Sequence, residues 1–444
     1  MTYSPALVTD LYQLTMLQAY FEEQMDETAV FSLFVRRMPE QRNYLLACGL
    51  DDVLTQLETL RFDAGALGYL ESLGKFSDRF LRWLEGFRFS GDVEAVAEGT
   101  PLFALEPILE VTASIAEAQF VETMVMNEVH HQTVIASKAA RVVDAARGRT
   151  VVDFGLRRMH GRDAGVRAAR ACYVAGVNAT SNVAAGQQFG MAVAGTMAHS
   201  YIQAYDDEYE AFLAFARLYP DTVLLVDTYD TRAGVRKVVQ LARELGADFR
   251  VSAIRLDSGD LEELAFESRR ILDDGGLQQV RIFASSSLDE HKIARLVEAG
   301  APIDGFGVGT EMGVPRDVPT IDIVYKLVEY AGRGRTKLSP GKEVLPGRKQ
   351  IFRFERGAVA DHDVLGRRGE RLGGRPLLEP VMRNGSRLAA GRVTLDEARA
   401  HARREIDRLP THLRAIDPAR PPYRVEISES VAATTPRPRR DLQS

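Results

Sequence analysis

The sequence predicts an α/β protein whose central part is a parallel sheet covered by helices, arranged as a barrel or as a large open sheet. Between residues 149 and 310, short apolar runs alternate with amphipathic stretches that have helical spacing. The runs are apolar throughout, as expected of strands that are buried on both faces of a parallel sheet. Polar residues follow the runs, and the carboxyl ends of parallel strands are where such sheets bind ligands.

Seven strand-like runs occur in this central zone. In chain order they are "TVVDFG" (150–155), "GVNAT" (176–180), "MAVAGT" (191–196), "TVLLVDTYD" (222–230), "RVSAIRLDSGD" (250–260), "VRIFASSS" (280–287) and "IDGFGVGT" (303–310). Helix-like stretches such as "TRAGVRKVVQLARELGA" (231–247) separate most of them. Strands that alternate with helices indicate βαβ units, and seven of them favour a barrel or a large open α/β sheet.

The flanking zones predict further domains. We expect an N-terminal α/β domain with a long helix over residues 1–148, and the barrel domain with the active site over 149–328. Strand-like patterning resumes at "KQIFRFERGAVADHDVLG", so we expect residues 329–430 to pack back on the N-terminal domain. The last stretch, 431–444, is rich in Pro, Arg and Thr, a composition typical of a disordered tail.

Composition excludes several classes of protein. The 444 residues carry a formal net charge of −6, so no overall basic field favours nucleic acid or an anionic membrane. The two cysteines, Cys48 and Cys172, are too few and too far apart for a disulfide framework or a cysteine-rich zinc site. No apolar stretch is long enough to span a membrane, and the N-terminus lacks the pattern of a signal peptide. We therefore expect a cytoplasmic protein.

The glycine-rich stretch "DGFGVGT" (304–310) ends the last strand-like run. Glycines allow backbone N–H groups to approach an anion closely, and the loops after the last two strands of α/β barrels commonly bind phosphate. The motif matches neither a P-loop nor G-x-G-x-x-G, and a tight turn would explain it equally well. Its position favours a phosphate site.

Carboxylates cluster after two other runs. "VDTYDT" contains Asp227 and Asp230, and "RLDSGD" places Arg255 beside Asp257 and Asp260. Such carboxylates can hold a hydrated Mg²⁺ that shields a diphosphate, and an arginine fork suits a carboxylate or a phosphate. The alternative is that these residues simply cap the helices that follow.

Cations also lie near predicted strand ends. Arg157 and Arg158 follow the first run, and Lys138 and Arg141 lie on the long helix before it. In an acidic chain, grouped cations indicate an anionic small molecule, although any one of them alone is typical of a solvated surface.

His199 follows the third run, within "GTMAHS" (195–200). A lone histidine is usually a packed or surface residue, and no second His or Cys stands at zinc-ligand spacing. At the carboxyl end of a strand, between Thr196 and Ser200, a neutral imidazole can accept a proton or a phosphoryl group.

Together these stretches resemble the nicotinate phosphoribosyltransferase family. The matching segments are "TDLYQLTM", "VFSLFVRRMP", "ASKAAR", "DFGLRRMHGRDAG", "NATSNVAAG", "GTMAHSYIQA", "VDTYDT", "IRLDSGDL", "SSSLDEHKI" and "GFGVGTEM". The resemblance implies an irregular seven-stranded α/β barrel with a second α/β domain built from both chain ends. It also implies a homodimer with shared active sites.

The implied reaction transfers the 5-phosphoribosyl group from phosphoribosyl diphosphate to nicotinate, with Mg²⁺ as cofactor and ATP as co-substrate. By position, His199 resembles the histidine that ATP phosphorylates, and Tyr12 resembles the ring that stacks on the pyridine across the dimer. The other implied residues are Thr196 and Arg255 for nicotinate, Gly307, Gly309 and Thr310 for the 5-phosphate, Arg157, Ser200 and Asp257 in the same pocket, Asp257 and Asp227 for Mg²⁺, and Lys138 and Arg141 as candidate diphosphate contacts. The stretch "SSSLDE" departs from the family form S-G/N-x-L-D, which leaves the roles of Ser285 and Ser286 open.

Three alternatives stay open. A quinolinate phosphoribosyltransferase would need extra cations for a second carboxylate, and the His199 motif argues against it. A nicotinamide-specific enzyme would need a carboxylate to accept the amide, which "GTMAHS" does not offer. A non-catalytic phosphate-binding barrel is the third.

Overall fold

The computed structural model describes residues 4–337 and 344–434, and the chain divides into two compact units. The first unit contains the residues up to Ser137 and those from Val318 onward, so it combines both ends of the chain. The second unit runs from Lys138 to Asp317. Of the predicted tail, 431–444, the structure describes the first four residues, which are helical; residues 435–444 lie outside the described part of the chain.

The strands are short, and several contain only two residues. Within the described ranges they are, in chain order, β1 (Thr28–Val35), β2 (Leu45–Leu46), β3 (Asp92–Ala95), β4 (Pro101–Leu102), β5 (Pro107–Ser114), β6 (Thr150–Asp153), β7 (Ala179–Thr180), β8 (Val223–Leu225), β9 (Ala253–Leu256), β10 (Arg281–Ala284), β11 (Gly305–Val308), β12 (Ile323–Tyr330), β13 (Arg333–Gly334), β14 (Lys349–Arg356), β15 (Val359–Arg367), β16 (Arg375–Pro376), β17 (Glu379–Arg383), β18 (Ser386–Arg387) and β19 (Arg424–Ile427).

The helices range from one turn to more than six turns. In the same part of the chain they are α1 (Leu11–Glu22), α2 (Leu50–Thr59), α3 (Ala64–Ser72), α4 (Asp78–Glu85), α5 (Ile115–Phe120), α6 (Glu122–Ala145), α7 (Arg162–Val174), α8 (Val183–Phe189), α9 (His199–Gln203), α10 (Glu208–Leu218), α11 (Thr231–Leu245), α12 (Leu261–Asp274), α13 (Glu290–Glu298), α14 (Thr310–Gly313), α15 (Leu395–Asp407), α16 (Thr411–Arg414) and α17 (Glu429–Thr434). None of these described helices is both long and apolar enough to cross a membrane.

The first unit is built on a seven-stranded sheet with the order β13-β12-β1-β5-β3-β17-β18. All of its pairings are antiparallel. The inner strand β1 is buried along nearly its whole length, and the rings of Phe31 and Tyr325 stack across β1 and β12 with centroids 4.9 Å apart. A four-stranded sheet, β16-β14-β15-β19, joins the C-terminal residues to the same unit.

The second unit contains a parallel sheet with the order β7-β6-β11-β10-β9-β8. Neighbouring strands pair as follows: Phe283 of β10 is opposite Arg255 of β9 and Gly305 of β11, and Val308 of β11 is opposite Asp153 of β6. Helices follow β6, β8, β9 and β10. Because the strands run in one direction, their carboxyl ends meet at one edge, and the polar residues that follow them collect there.

The predicted seven-stranded barrel is not confirmed. Six strands form the described sheet, and the run "MAVAGT" contributes one parallel bridge, between Val193 and Thr180, instead of a strand. Met191 is the one buried residue of this run and Val193 is 51% exposed, so little buried apolar surface holds a longer strand in place. The architecture is a mixed α/β fold with a parallel sheet in one unit and an antiparallel sheet in the other.

Candidate active site

A cavity of about 380 Å³ lies at the carboxyl edge of the parallel sheet. We call it the carboxyl-edge pocket. Its lining residues are Phe154, Leu156, Arg157, Ser181, Gly195, Thr196, Met197, Ala198, His199, Arg255, Asp257 and Ser285. A larger cavity of about 510 Å³ lies in the first unit beside Phe103 and Tyr423, but none of the predicted site residues lines it. The carboxyl-edge pocket is therefore the candidate active site.

His199 is the first residue of α9 and is partly exposed to the pocket. Its Nδ1 lies 3.1 Å from Thr228 Oγ1, and its Nε2 lies 3.7 Å from Asp257 Oδ2. A hydroxyl on one ring nitrogen orients the imidazole, and a carboxylate facing the other nitrogen stabilises positive charge on the ring. The histidine is thus held as a group that can receive a proton or a phosphoryl group.

Arg255 and Thr196 meet in the same pocket. Arg255 Nη1 donates to Thr196 Oγ1 at 2.6 Å, and Nη2 donates to the carbonyl of Met197 at 3.2 Å. Arg255 Nε is buried and has no hydrogen-bond partner among the described residues. Burial lowers the pKa of Arg255, while Asp257 and Asp227 oppose that shift, and an arginine stays charged at neutral pH. A half-buried guanidinium whose Nε donor has no described partner suits an anionic ligand.

The four carboxylates that follow β8 and β9 separate into two pairs. Asp230 and Asp260 are helix N-caps: Asp230 accepts from the backbone N–H of Ala233 at 2.7 Å, and Asp260 accepts from two N–H groups at the start of α12. For Asp230 and Asp260, the alternative that these aspartates cap the helices that follow is therefore correct. Asp227 and Asp257 cap no helix and belong to the pocket network.

Asp227 holds the loop that carries Asp257. Its Oδ2 accepts from the backbone N–H of Asp257 at 2.8 Å and from Ser258 Oγ at 2.6 Å, whereas its Oδ1 is buried without a described partner. Asp257 Oδ1 in turn accepts from Ser285 Oγ. Within the described residues no three His, Cys, Asp or Glu side chains are grouped to hold a metal. A cation here would thus need ligands from the substrate besides Asp257 and Asp227.

Gly307 within β11 and Gly309 just after it allow close packing against Phe154. A Cβ added to Gly307 would lie 2.5 Å from the Phe154 ring, and one added to Gly309 would lie 3.0 Å from the Phe154 carbonyl oxygen. Thr310 begins the short helix α14. Gly307, Gly309 and Thr310 thus lie at the carboxyl end of β11, but they do not line the carboxyl-edge pocket.

Lys138 and Arg141 are engaged elsewhere in the second unit. Lys138 Nζ lies 2.6 Å from Glu290 Oε2, and Arg141 Nε lies 2.9 Å from Glu290 Oε1. All three side chains are almost fully buried. Both cations neutralise a buried carboxylate, which must be paired to be tolerated, and neither lines the pocket.

The remaining predicted residues are placed as follows. Arg157 is exposed and lines the pocket, whereas Ser200, the second residue of α9, does not line it. Tyr12 belongs to the first unit, where its hydroxyl donates to Glu122 Oε2 at 3.3 Å. Burial and the charge of Glu122 raise the pKa of Tyr12, so the phenol stays neutral at physiological pH.

Sequence reasoning missed Thr228. It lies within "VDTYDT", whose carboxylates attracted attention, and its hydroxyl is the group that faces His199. The available signal was its position after a buried strand. Ser285, whose role the sequence left open, is hydrogen-bonded to Asp257.

Three family models match the chain in order. They describe the nicotinate phosphoribosyltransferase N-terminal domain (residues 7–130), the nicotinate phosphoribosyltransferase family (150–351) and the nicotinate phosphoribosyltransferase C-terminal domain (368–435). Together these models cover most of the chain.

Similar proteins carry the same name. The chain is 56% identical to nicotinate phosphoribosyltransferase pncB2 of Mycobacterium tuberculosis over 426 residues, covering 96% of this chain and 92% of the relative. It is 41% identical to the Bacillus subtilis nicotinate phosphoribosyltransferase, covering 79% and 73% of the two chains. The crystal structure of human nicotinic acid phosphoribosyltransferase matches with a TM-score of 0.85 at 28% identity, covering 96% of this chain and 98% of that one.

Proposed function

Because the chain belongs to the nicotinate phosphoribosyltransferase family and is an enzyme of this type, we propose that it couples transfer of the phosphoribosyl group to ATP through a phosphorylated His199. The observation that carries this proposal is the imidazole of His199 held between Thr228 and Asp257, in the pocket that Arg255 also lines. The reaction forms nicotinate mononucleotide, a precursor of NAD, and releases diphosphate. The named activity of the relatives removes the non-catalytic alternative.

Arg255 holds the carboxylate of nicotinate in this proposal. Its Nε and the Nη groups beside Thr196 form a fork that suits a carboxylate, and its partial burial strengthens the interaction. A nicotinamide amide would instead need an acceptor for its N–H groups where Arg255 presents donors. Quinolinate has a second carboxylate. Arg157, the other arginine that lines the pocket, would have to bind it.

The pyridine nitrogen is already a nucleophile, so the pocket needs no strong base. It attacks C1 of the ribose as the diphosphate departs, and the pocket contributes positioning and charge stabilisation. Mg²⁺ would neutralise charge on the diphosphate, and Asp257 and the unpartnered Oδ1 of Asp227 would hold it together with substrate oxygens. Gly307, Gly309 and Thr310 are proposed to bind the 5-phosphate after small movements of their loop.

His199 accepts the γ-phosphoryl group of ATP on a ring nitrogen, releasing ADP, and later transfers it to water, releasing phosphate. Asp257 stabilises the ring while it carries positive charge, and Thr228 fixes its rotation. Coupling follows if the phosphorylated enzyme binds phosphoribosyl diphosphate and nicotinate more tightly than the free enzyme does. Because Glu290 holds Lys138 and Arg141, we assign these two a structural role. The homodimer, the stacking role of Tyr12 across it, a closed barrel and the cytoplasmic location stay predictions.

The test is a product assay with phosphoribosyl diphosphate and Mg²⁺, offering nicotinate, nicotinamide or quinolinate, each with and without ATP. We expect nicotinate mononucleotide, formed selectively and faster with ATP. His199→Ala should lose the stimulation by ATP and keep some transfer activity. His291→Ala, which removes an exposed histidine of α13, is the matched control and should behave as wild type. Unchanged ATP hydrolysis coupled to synthesis in His199→Ala would overturn the role of His199.

A further inference from the structure

A second cavity, of about 190 Å³, lies inside the second unit next to the carboxyl-edge pocket. We call it the inner chamber. Its lining residues are Thr150, Val152, Phe154, Ala194, Gly195, Thr196, Val223, Ala253, Arg281, Phe283 and Asp304. Nothing in the proposed reaction uses this space, since nicotinate, its carboxylate subsite and His199 all belong to the carboxyl-edge pocket.

The two cavities adjoin each other. Phe154, Gly195 and Thr196 line both of them. Thr196 is also the residue whose hydroxyl accepts the hydrogen bond from Arg255. The inner chamber therefore begins beside the group that we expect to bind the substrate's carboxylate, and a pyridine ring bound there would lie at the chamber's mouth.

The chamber runs along the strands toward their amino ends. Thr150, Val223, Ala253 and Arg281 are the first residues of β6, β8, β9 and β10. Arg281 and Asp304 are exposed at that end, whereas Val152 and Ala253 are buried along the wall. The path therefore leads from the carboxyl-edge pocket through an apolar interior to a charged, exposed rim.

Glycines keep the interior open. Gly305 and Gly307 alternate along β11, and a Cβ at Gly305 would lie 2.4 Å from the Phe283 ring, as a Cβ at Gly307 would lie 2.5 Å from the Phe154 ring. The missing side chains let both rings lie close to the backbone of β11. Small residues, Ala194 and Ala253, face the remaining space. The wall is thus shaped as an apolar slot, which suits an alkyl chain.

We propose that the inner chamber binds a short apolar substituent on the ring of a pyridine-3-carboxylate, so that the enzyme accepts, or is competitively inhibited by, alkyl-substituted nicotinates. This rests on the proposed function, because Arg255 and Thr196 must orient the carboxylate. Substituents at C2 or C6 flank the attacking ring nitrogen, so the permitted positions are C4 and C5. At about 30 Å³ for each water-sized volume, the chamber of about 190 Å³ holds about six such volumes, which is room for a chain of four carbons.

The experiment measures competition with nicotinate by 4-alkyl and 5-alkyl nicotinates, from methyl to butyl, in the full-length enzyme. Mononucleotide formation from each compound is followed in parallel. We expect one of the two series to bind as well as nicotinate or better up to the butyl compound, because each buried CH₂ strengthens binding by about fourfold. The other series should fail at methyl or ethyl.

Two opposite changes at Val223, which lines only the inner chamber, test the location. Val223→Phe fills the chamber and should weaken binding of the butyl compound about tenfold or more. Val223→Ala enlarges it and should leave or improve that binding. The KM for nicotinate should stay unchanged in both variants. A general disturbance of the fold would impair both variants alike and would move the KM for nicotinate.

Each remaining outcome decides the question. If wild type forms nicotinate mononucleotide but binds neither alkyl series, the inner chamber is not a ligand subsite and the proposal fails while the proposed function stands. Equal binding of the butyl compound by wild type and Val223→Phe overturns it as well. If nicotinate itself gives no product, the proposed function fails first.

Discussion

His199 Nδ1 lies 3.1 Å from the hydroxyl of Thr228. The two residues are 29 positions apart in the chain; His199 begins α9 and Thr228 follows β8. With this contact on one nitrogen, the opposite nitrogen faces Asp257 at 3.7 Å. The rotation of the imidazole, and therefore which ring nitrogen faces the pocket, depends on the uncharged hydroxyl of Thr228. No sequence motif singles out this residue.

Thr228→Val removes this hydroxyl while keeping the shape of the side chain. We expect phosphorylation of His199 by ATP to slow by about tenfold, the order expected for one lost hydrogen bond. Thr228→Ser keeps the hydroxyl and should restore the rate. The measurement is incorporation of labelled phosphate from ATP into the protein. Equal rates in the valine and serine variants would show that Thr228 does not position the histidine.

Arg255→Lys tests the proposed carboxylate subsite. Lysine keeps the positive charge but loses the planar fork and the hydrogen bond to Thr196. We expect the KM for nicotinate to rise by about tenfold to a hundredfold, the range for hydrogen bonds to charged groups. The KM for ATP should change little. Arg158→Lys, which replaces an exposed arginine that does not line the pocket, is the control, and a similar rise there would contradict the assignment.

Ser286 stands where the family form has Gly or Asn, and its φ is +103°. L side chains rarely adopt this backbone conformation, which costs on the order of 1–3 kcal/mol. We expect Ser286→Gly to stabilise the enzyme by about 1 kcal/mol after glycine's own entropic cost is subtracted. The readout is the thermal unfolding midpoint. Ser287, with φ of +46°, lies in the milder left-handed region, so Ser287→Gly should gain less; a larger gain there would refute the argument.

Glu106 predicts a pH dependence in the first unit. Its carboxyl is fully buried, and Oε2 accepts from the backbone N–H of Phe103 at 2.8 Å. Burial, and then the neighbouring Asp363, raise the pKa of Glu106 well above 4.5, although Arg353 opposes the shift. The folded protein thus keeps a proton that the unfolded chain releases. This contribution to stability is complete below the unfolded pKa and is lost as pH rises toward the folded pKa.

Glu106→Gln should remove that dependence, because glutamine is neutral at every pH and its amide can donate to Asp363. We expect the variant to gain stability relative to wild type as pH rises from about 4.5 toward the folded pKa. Thermal unfolding midpoints of the two proteins across this range provide the measurement. Curves that stay parallel would show that Glu106 releases its proton in the folded state.

Glu290→Gln tests the buried ion cluster with Lys138 and Arg141. Burial raises the pKa of Glu290, but the two cations outweigh this effect, so that the pKa is lowered overall. Removing the charge leaves two buried cations less well paired, at a cost of about 3–5 kcal/mol. Asp317→Asn is the matched control, because Asp317 also contacts Lys138, at 3.2 Å, but is 29% exposed. We expect a much smaller fall in the unfolding midpoint for the control, and equal losses would contradict the buried-pair argument.

The sequence by itself determined the parts that depend on local pattern. Apolar runs alternating with amphipathic stretches predicted the parallel strands and their helices, because the spacing of apolar residues along the chain reflects which side chains are buried. Polar residues at the ends of those runs predicted where a ligand site would lie. They also singled out His199, Thr196, Arg255 and Asp257, which line one pocket.

Only the tertiary structure decided which of these residues interact. Arg255 donates to Thr196 from 59 positions away, and local periodicity carries no information on such a distance. Of four similar aspartates, two cap helices and two belong to the pocket, because capping depends on backbone geometry and not on residue type. The third predicted run forms only a bridge at Val193, and five of its six residues are not buried, which their apolar character alone did not indicate. The fold class is thus a property of local sequence, whereas the site's chemistry arises from contacts between distant strand ends.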